Sequence, residues 1–113
     1  MREEIEQLIS TRINDLVKLD LALFFQQHPA FVDRIEGIAR RVGRHAGTVE
    51  SALQALAQDG VLERFHLGSG KYILYSYTRD PHMRSLLDDL SSAYHDDPVE
   101  RVCILKRLMG LER

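Results

Sequence analysis

The chain has 113 residues, 44% of them hydrophobic and 28% charged, with no Trp, one Cys and a formal charge of −2. This length and mixture fit one globular domain spanning 1–113, with a core of Leu, Ile, Val and Ala that favours helices over a β-sandwich. They exclude a disulfide framework, a multi-cysteine zinc site, a membrane span of roughly 20 apolar residues and a basic-headed secretory leader, so a soluble, cytoplasmic protein with no membrane partner is expected.

Ile5, Leu8, Ile9, Ile13, Leu16 and Val17 recur at three- and four-residue spacing and predict an N-terminal amphipathic helix over 3–17. The more continuously apolar "LDLALFFQQHP" comes next and stops at Pro29, which a helix rarely passes. Asp20 either caps the start of this second helix or lies inside one long bent helix. In "AFVDRIEGIARRVG", Asp33 is an N-cap candidate with Glu36 at the capping-box spacing. Ile35, Ile38, Ala39 and Val42 form the buried stripe of a short helix that ends at Gly43.

"RHAGTVESALQALAQDG" predicts a helix over about 45–59, with Val49, Ala52, Leu53 and Leu56 on its inner face and a stop at Gly60. His45, Gly47 and Thr48 compete for its cap and first turn. Two β-rich runs, Val61–His66 and Lys71–Thr78, flank "GSG" and predict a hairpin with one buried face. Helical spacing returns in Met83, Leu86, Leu87, Leu90 and Tyr94. After Pro98 it continues in Val99, Val102, Cys103, Leu105, Leu108 and Met109.

Two short helices on a tight turn with a glycine-tipped hairpin behind the second describe a winged helix-turn-helix. The expected fold class is therefore mainly α with a β-hairpin wing. The N-terminal helix is 1–17, the core 18–78 and the C-terminal helices 79–113.

Charge is unevenly spread along this frame. Arg34 to Tyr72 holds six Arg/Lys against four acids, whereas the rest of the chain holds nine against thirteen. The net −2 argues against indiscriminate coating of nucleic acid but leaves room for a local basic face. Arg40, Arg41, Arg44 and His45 crowd the entry of the 45–59 helix, and Gly47, Thr48, Glu50 and Ser51 lie beyond them on its exposed first turns. A helix-turn-helix lays this end of its second helix in the major groove. Small residues such as Ala46 and Gly47 let the backbone approach a phosphate, and a helix N-terminus offers free N–H groups to an anion. Arg forks onto guanine or phosphate, while Thr, Ser and His donate to phosphate oxygens. The wing, 66–71, adds His66, Ser69 and Lys71 on the backbone. For Arg40 and Arg41 the plainer alternative is that they complement the C-terminal dipole of the preceding helix. For the wing it is a solvated turn.

"IEGIARRVGRHAGTVESALQALAQDGVLERF…GSGKYILYSYT" resembles the winged-helix domains of small bacterial and archaeal transcriptional regulators of the MarR/ArsR-like kind. Their pattern is "hxxIAxxhgxxxxxVxxaLxxLxxxGhhxr", with h apolar. Ile38, Ala39, Val49, Leu53, Leu56, Gly60 and Val61 fill those positions, and the match covers about 18–78. The resemblance implies double-stranded DNA as partner and a homodimer built by the flanking N- and C-terminal helices.

Other chemistry finds little footing. Cys103 lies on an apolar stripe and reads as a buried small hydrophobe rather than a redox sensor. His82, His95, Asp96 and Asp97 are hard donors close in sequence, but "HDDP" is also the pattern of a helix cap. Tyr72, Tyr75, Tyr77 and Tyr94 read as packing residues. With no nucleophile–base pair, carboxylate couple or phosphate-cradling loop, neither an enzyme nor a cofactor or metal is expected. The competing function is a winged helix used as a protein-interaction or assembly module without DNA binding.

Overall fold

A computed structural model describes residues 1–111, and the last two residues of the expected C-terminal segment, Glu112 and Arg113, lie outside the described residues. The elements run α1 (Glu3–Thr11), α2 (Leu16–Gln27), β1 (Val32–Asp33), α3 (Ile35–Val42), α4 (Ala46–Gln58), β2 (Leu62–Leu67), β3 (Tyr72–Tyr77), α5 (Pro81–Asp96) and α6 (Pro98–Leu108). This is a winged helix with extra helices at both ends.

The single helix expected over 3–17 is two pieces. Ser10 and Thr11 turn their hydroxyls back onto the carbonyls of Glu6 and Gln7, both at 2.7 Å, a bond that competes with helix propagation. Asp15 then caps α2 by accepting from the Lys18 N–H at 2.8 Å. Asp20 is therefore an interior residue of α2 and caps nothing. Ile13 sits in the link between the helices yet is fully buried, so the apolar spacing continues where the helix does not. On α2, Leu19, Leu21, Ala22, Leu23 and Phe25 are all buried. A helix apolar around most of its circumference belongs at the centre, and α2 packs against α3, α4, α5 and β3. α1 packs against α5 and α6, where Arg107 donates to Glu6 and Ser10.

Asp33 is not the cap of α3. It lies in β1, its carboxylate accepts from the Arg34 N–H at 2.7 Å, and Arg34 occupies the cap position without a side-chain bond. The capping box with Glu36 does not form. The two-residue β1 pairs antiparallel with β3 (Val32 with Ser76, Asp33 with Tyr75), giving the sheet order β1-β3-β2. No local sequence pattern announces this strand. In the hairpin, Leu62 faces Tyr77, Arg64 faces Tyr75 and Leu67 faces Tyr72. Leu62, Tyr75 and Tyr77 close the core on one side of the sheet.

The remaining joints agree with the sequence. Gly43 takes a left-handed conformation (φ 69°) at the end of α3, and the Arg44 N–H returns to the Ala39 carbonyl at 3.1 Å. Glu63 accepts from both the backbone N–H and Nε of Arg79, at 2.7 and 3.0 Å, tying the hairpin to the start of α5. Asp97, from "HDDP", caps α6 through the N–H groups of Val99 and Glu100. His95 instead bonds Ser91 and Gln27. On α6 the fully buried residue is Ile104, outside the expected stripe; of that stripe Leu105, Leu108 and Cys103 are half-buried, whereas Val99, Val102 and, just past the helix, Met109 are exposed. Among the described residues, no helix is long and apolar enough to cross a membrane.

Candidate nucleic-acid interface

α4 does two jobs because its faces differ. Val49, Ala52, Leu53 and Leu56 anchor it in the core, while His45, Ala46, Gly47, Thr48, Glu50 and Ser51 are exposed. His45 occupies the N-cap position but its side chain makes no capping bond. The first backbone N–H groups of α4 have no intrahelical acceptor and, among the described residues, no side-chain cap, the arrangement that suits a helix N-terminus to an anion. Gly47 has no atom within 4 Å of the place a Cβ would occupy, so nothing inside the chain requires a small residue there.

Around this helix head the fold gathers cations from three segments. A shallow groove of about 660 Å³ is lined by Arg34, Arg40, Arg44 and His45, with Glu36 as its acid. Arg40 is exposed and forms no ion pair among the described residues. Arg44 is held by Asp20 of α2, its Nε at 3.0 Å and its Nη2 at 2.5 Å from the same carboxylate oxygen. Arg41 lies over the Phe31 ring, 5.2 Å from its centroid, and is not among the residues lining this groove.

Arg34 links this groove to the wing. Arg34 and the Lys71 ammonium each sit 5.6 Å from the centroid of the exposed Tyr72 ring. The wing tip is a left-handed run, Gly68 (φ 61°), Ser69 (φ 59°) and Gly70 (φ 86°), closed by the Lys71 N–H on the Gly68 carbonyl. Ser69 and Lys71 are thus fully presented. His66 is exposed on β2, one position before the wing-side end of that strand. It lines a separate, larger groove with Arg12, Arg64 and His82, between the end of α4, β2 and α5. Sequence reasoning missed Arg34 and Tyr72 as neighbours of the site, because only the β1–β3 pairing brings Arg34 beside the wing.

Behind α4, burial pushes the Tyr75 phenol upward, an effect that the adjacent Arg64 opposes and Glu50 reinforces. Tyr77 is pushed up to about 12 by burial, with Asp88 adding to the effect and Arg84 opposing it. The Tyr77 hydroxyl is buried without a hydrogen-bond partner among the described residues.

No protein-family profile matches the chain, and no curated protein matches it in sequence. Solved structures do share its fold. A possible transcriptional regulator from Methanosarcina mazei Go1 superposes with a TM-score of 0.59 at 16% identity, covering 88% of this chain and 86% of its own. The YusO protein from Bacillus subtilis gives a TM-score of 0.54 at 14% identity, covering 96% of this chain and 84% of its own. At these identities the likeness is one of fold.

Proposed function

We propose that the protein is a cytoplasmic DNA-binding transcriptional regulator, and that it is not an enzyme. The head of α4 enters the major groove of double-stranded DNA, and the wing, through Ser69 and Lys71, tracks the phosphate backbone. The observation that carries this reading is the groove that collects Arg34, Arg40, Arg44 and His45 around an uncapped helix N-terminus. Among the residues expected from sequence, Arg40, Arg44, His45, Gly47, Thr48 and Ser51 belong to the α4 side. Arg41 and His66 are secondary, the first folded onto Phe31 and the second on the other groove. The regulator works as a homodimer through its N- and C-terminal helices, where Val99 and Val102 of α6 and Met109 just beyond it are exposed and call for cover. The fold likeness to a possible transcriptional regulator supports this reading.

The test is binding of random-sequence duplex by the full chain at three salt concentrations. Binding that weakens linearly in log–log form, with a slope near −0.9 per neutralised phosphate, is the expected result. A wild-type chain that ignores duplex DNA at low salt sinks the reading. The protein-module function then takes over, and one observation favours it. The outer face of the sheet carries exposed Val32, Leu67 and Tyr72 beside half-buried Phe65 and Leu74.

A further inference from the structure

Arg44 stands where the turn enters α4, but in the free protein it is occupied. Its Nε and Nη2 both donate to Oδ2 of Asp20, a residue twenty-four positions away on α2. Those two donors form one of the edges with which a guanidinium forks onto phosphate or guanine. With that edge closed, Arg44 cannot present it to DNA and keep Asp20 at the same time. The pair is also neutral as a unit, so Asp20 cancels the charge that Arg44 would bring to a phosphate.

Asp20 is not needed to place the turn. The Arg44 backbone is already fixed by its N–H bond to the Ala39 carbonyl and by the left-handed Gly43. The helices on either side are pinned by the buried Ile38, Ala39 and Val49. What the ion pair sets is where the guanidinium points and how much charge it shows. The two side chains are 33% and 45% exposed, so water and an incoming anion reach the pair. Exposed pairs of this kind hold weakly and exchange readily.

We propose that Asp20 is a specificity-determining residue of this chain: it withholds Arg44 from DNA of arbitrary sequence and yields it only to a site that offers a better acceptor. Non-specific duplex, which offers phosphates alone, then gains little from Arg44, whereas a guanine edge aligned with α4 gains the fork. The inference rests on the DNA-binding reading above.

The experiment is fluorescence polarisation with random-sequence duplex at three salt concentrations, using the full chain. Asp20→Asn and Asp20→Ala are compared with wild type, and circular dichroism confirms that each is folded. Glu36→Gln, which removes one acid from the same groove, reports the effect of charge alone. Asp20→Asn should bind random duplex about two- to fivefold more tightly per protomer than wild type. Its salt slope should steepen by about one unit as Arg44 takes a phosphate. The gain should exceed that of Glu36→Gln and should fall to the Glu36→Gln level once Arg44→Ala is added. Weaker binding by folded Asp20→Asn would show that Asp20 instead holds Arg44 ready for DNA, and would overturn the proposal. So would a gain no larger than that of Glu36→Gln. Both results require wild type that binds duplex, which separates them from failure of the DNA reading itself.

Discussion

α4 and α6 are built from the same ingredients and put them to opposite use. They have 13 and 11 residues, and each has an apolar stripe and a polar one. On α4 the apolar stripe is wholly consumed within the chain, with Val49, Leu53 and Leu56 at 0% exposure. What remains outside is polar, small and basic-headed. On α6 Ile104 is buried and Leu105 and Leu108 are half-buried against the core, while Val99 and Val102, and Met109 just past the helix end, remain 71%, 48% and 55% exposed. The lesson is that the side a helix spends on the core decides what kind of partner its other side can take. The free side of α4 suits charge, whereas the free side of α6 suits only another apolar surface.

The sharpest way to break this comparison is to put the same charge on each stripe. Leu53→Asp places an unpaired carboxylate in the core and should cost several kcal/mol, leaving the chain unfolded or nearly so in a thermal melt. Val102→Asp should preserve helical circular dichroism but weaken self-association at least tenfold, about 1.4 kcal/mol. Sedimentation at roughly 20 µM should then show a dimer for wild type and a monomer for the variant. Equal damage to folding by both substitutions would mean that α6 belongs to the core in the way α4 does.

A smaller effect is expected from the sheet behind α4. The Tyr77 phenol is pushed up to about 12 in the folded chain, against about 10 unfolded. Its contribution to stability is therefore full below pH 10 and is lost as pH rises from about 10 to 12, by at most about 1.4 kcal/mol per pH unit. Tyr75 shifts in the same direction. Because the Tyr77 hydroxyl has no partner among the described residues, Tyr77→Phe should change stability at pH 7 by no more than about 1 kcal/mol. It should also flatten the alkaline slope of urea-denaturation stability, and a variant that keeps the full slope would place the alkaline loss elsewhere. The smallest change belongs to the wing. Lys71→Ala should leave the melt unchanged, weaken duplex binding alike on all sequences, and reduce the salt slope by about one unit.

Features written in contiguous residues are legible in the sequence. Val49, Leu53 and Leu56 give the α4 period directly, Gly43 and Gly60 mark helix ends, "GSG" marks the wing, and Asp97 caps the helix that begins at Pro98. Features made by distant pairing are not. β1 is two residues long and exists because Val32 meets Ser76, so the local pattern alone makes Asp33 look like a helix cap. The 3–17 segment looks like one helix because Ile13, buried in a non-helical link, keeps the helical spacing intact across the break. The candidate interface is legible as a set of cations on α3, α4 and the wing. Its arrangement is not, since the pairing of Arg44 with Asp20, the stacking of Arg41 on Phe31 and the approach of Arg34 to Tyr72 each join separate segments.

The docking of α1 on α5 and α6 also bears on how the chain is made. α1 buries Ile5, Leu8 and Ile9, and Arg107 of α6 reaches back to Glu6 and Ser10 at 3.2 and 3.0 Å. During synthesis α1 leaves the ribosome well before either covering helix exists. Its apolar stripe must wait, exposed, while roughly ninety further residues are added at about 5–20 residues per second. Closing a loop of that length is slow compared with forming the local α3–α4 pair. The winged core can thus assemble first, with α1 clasping α5 and α6 last.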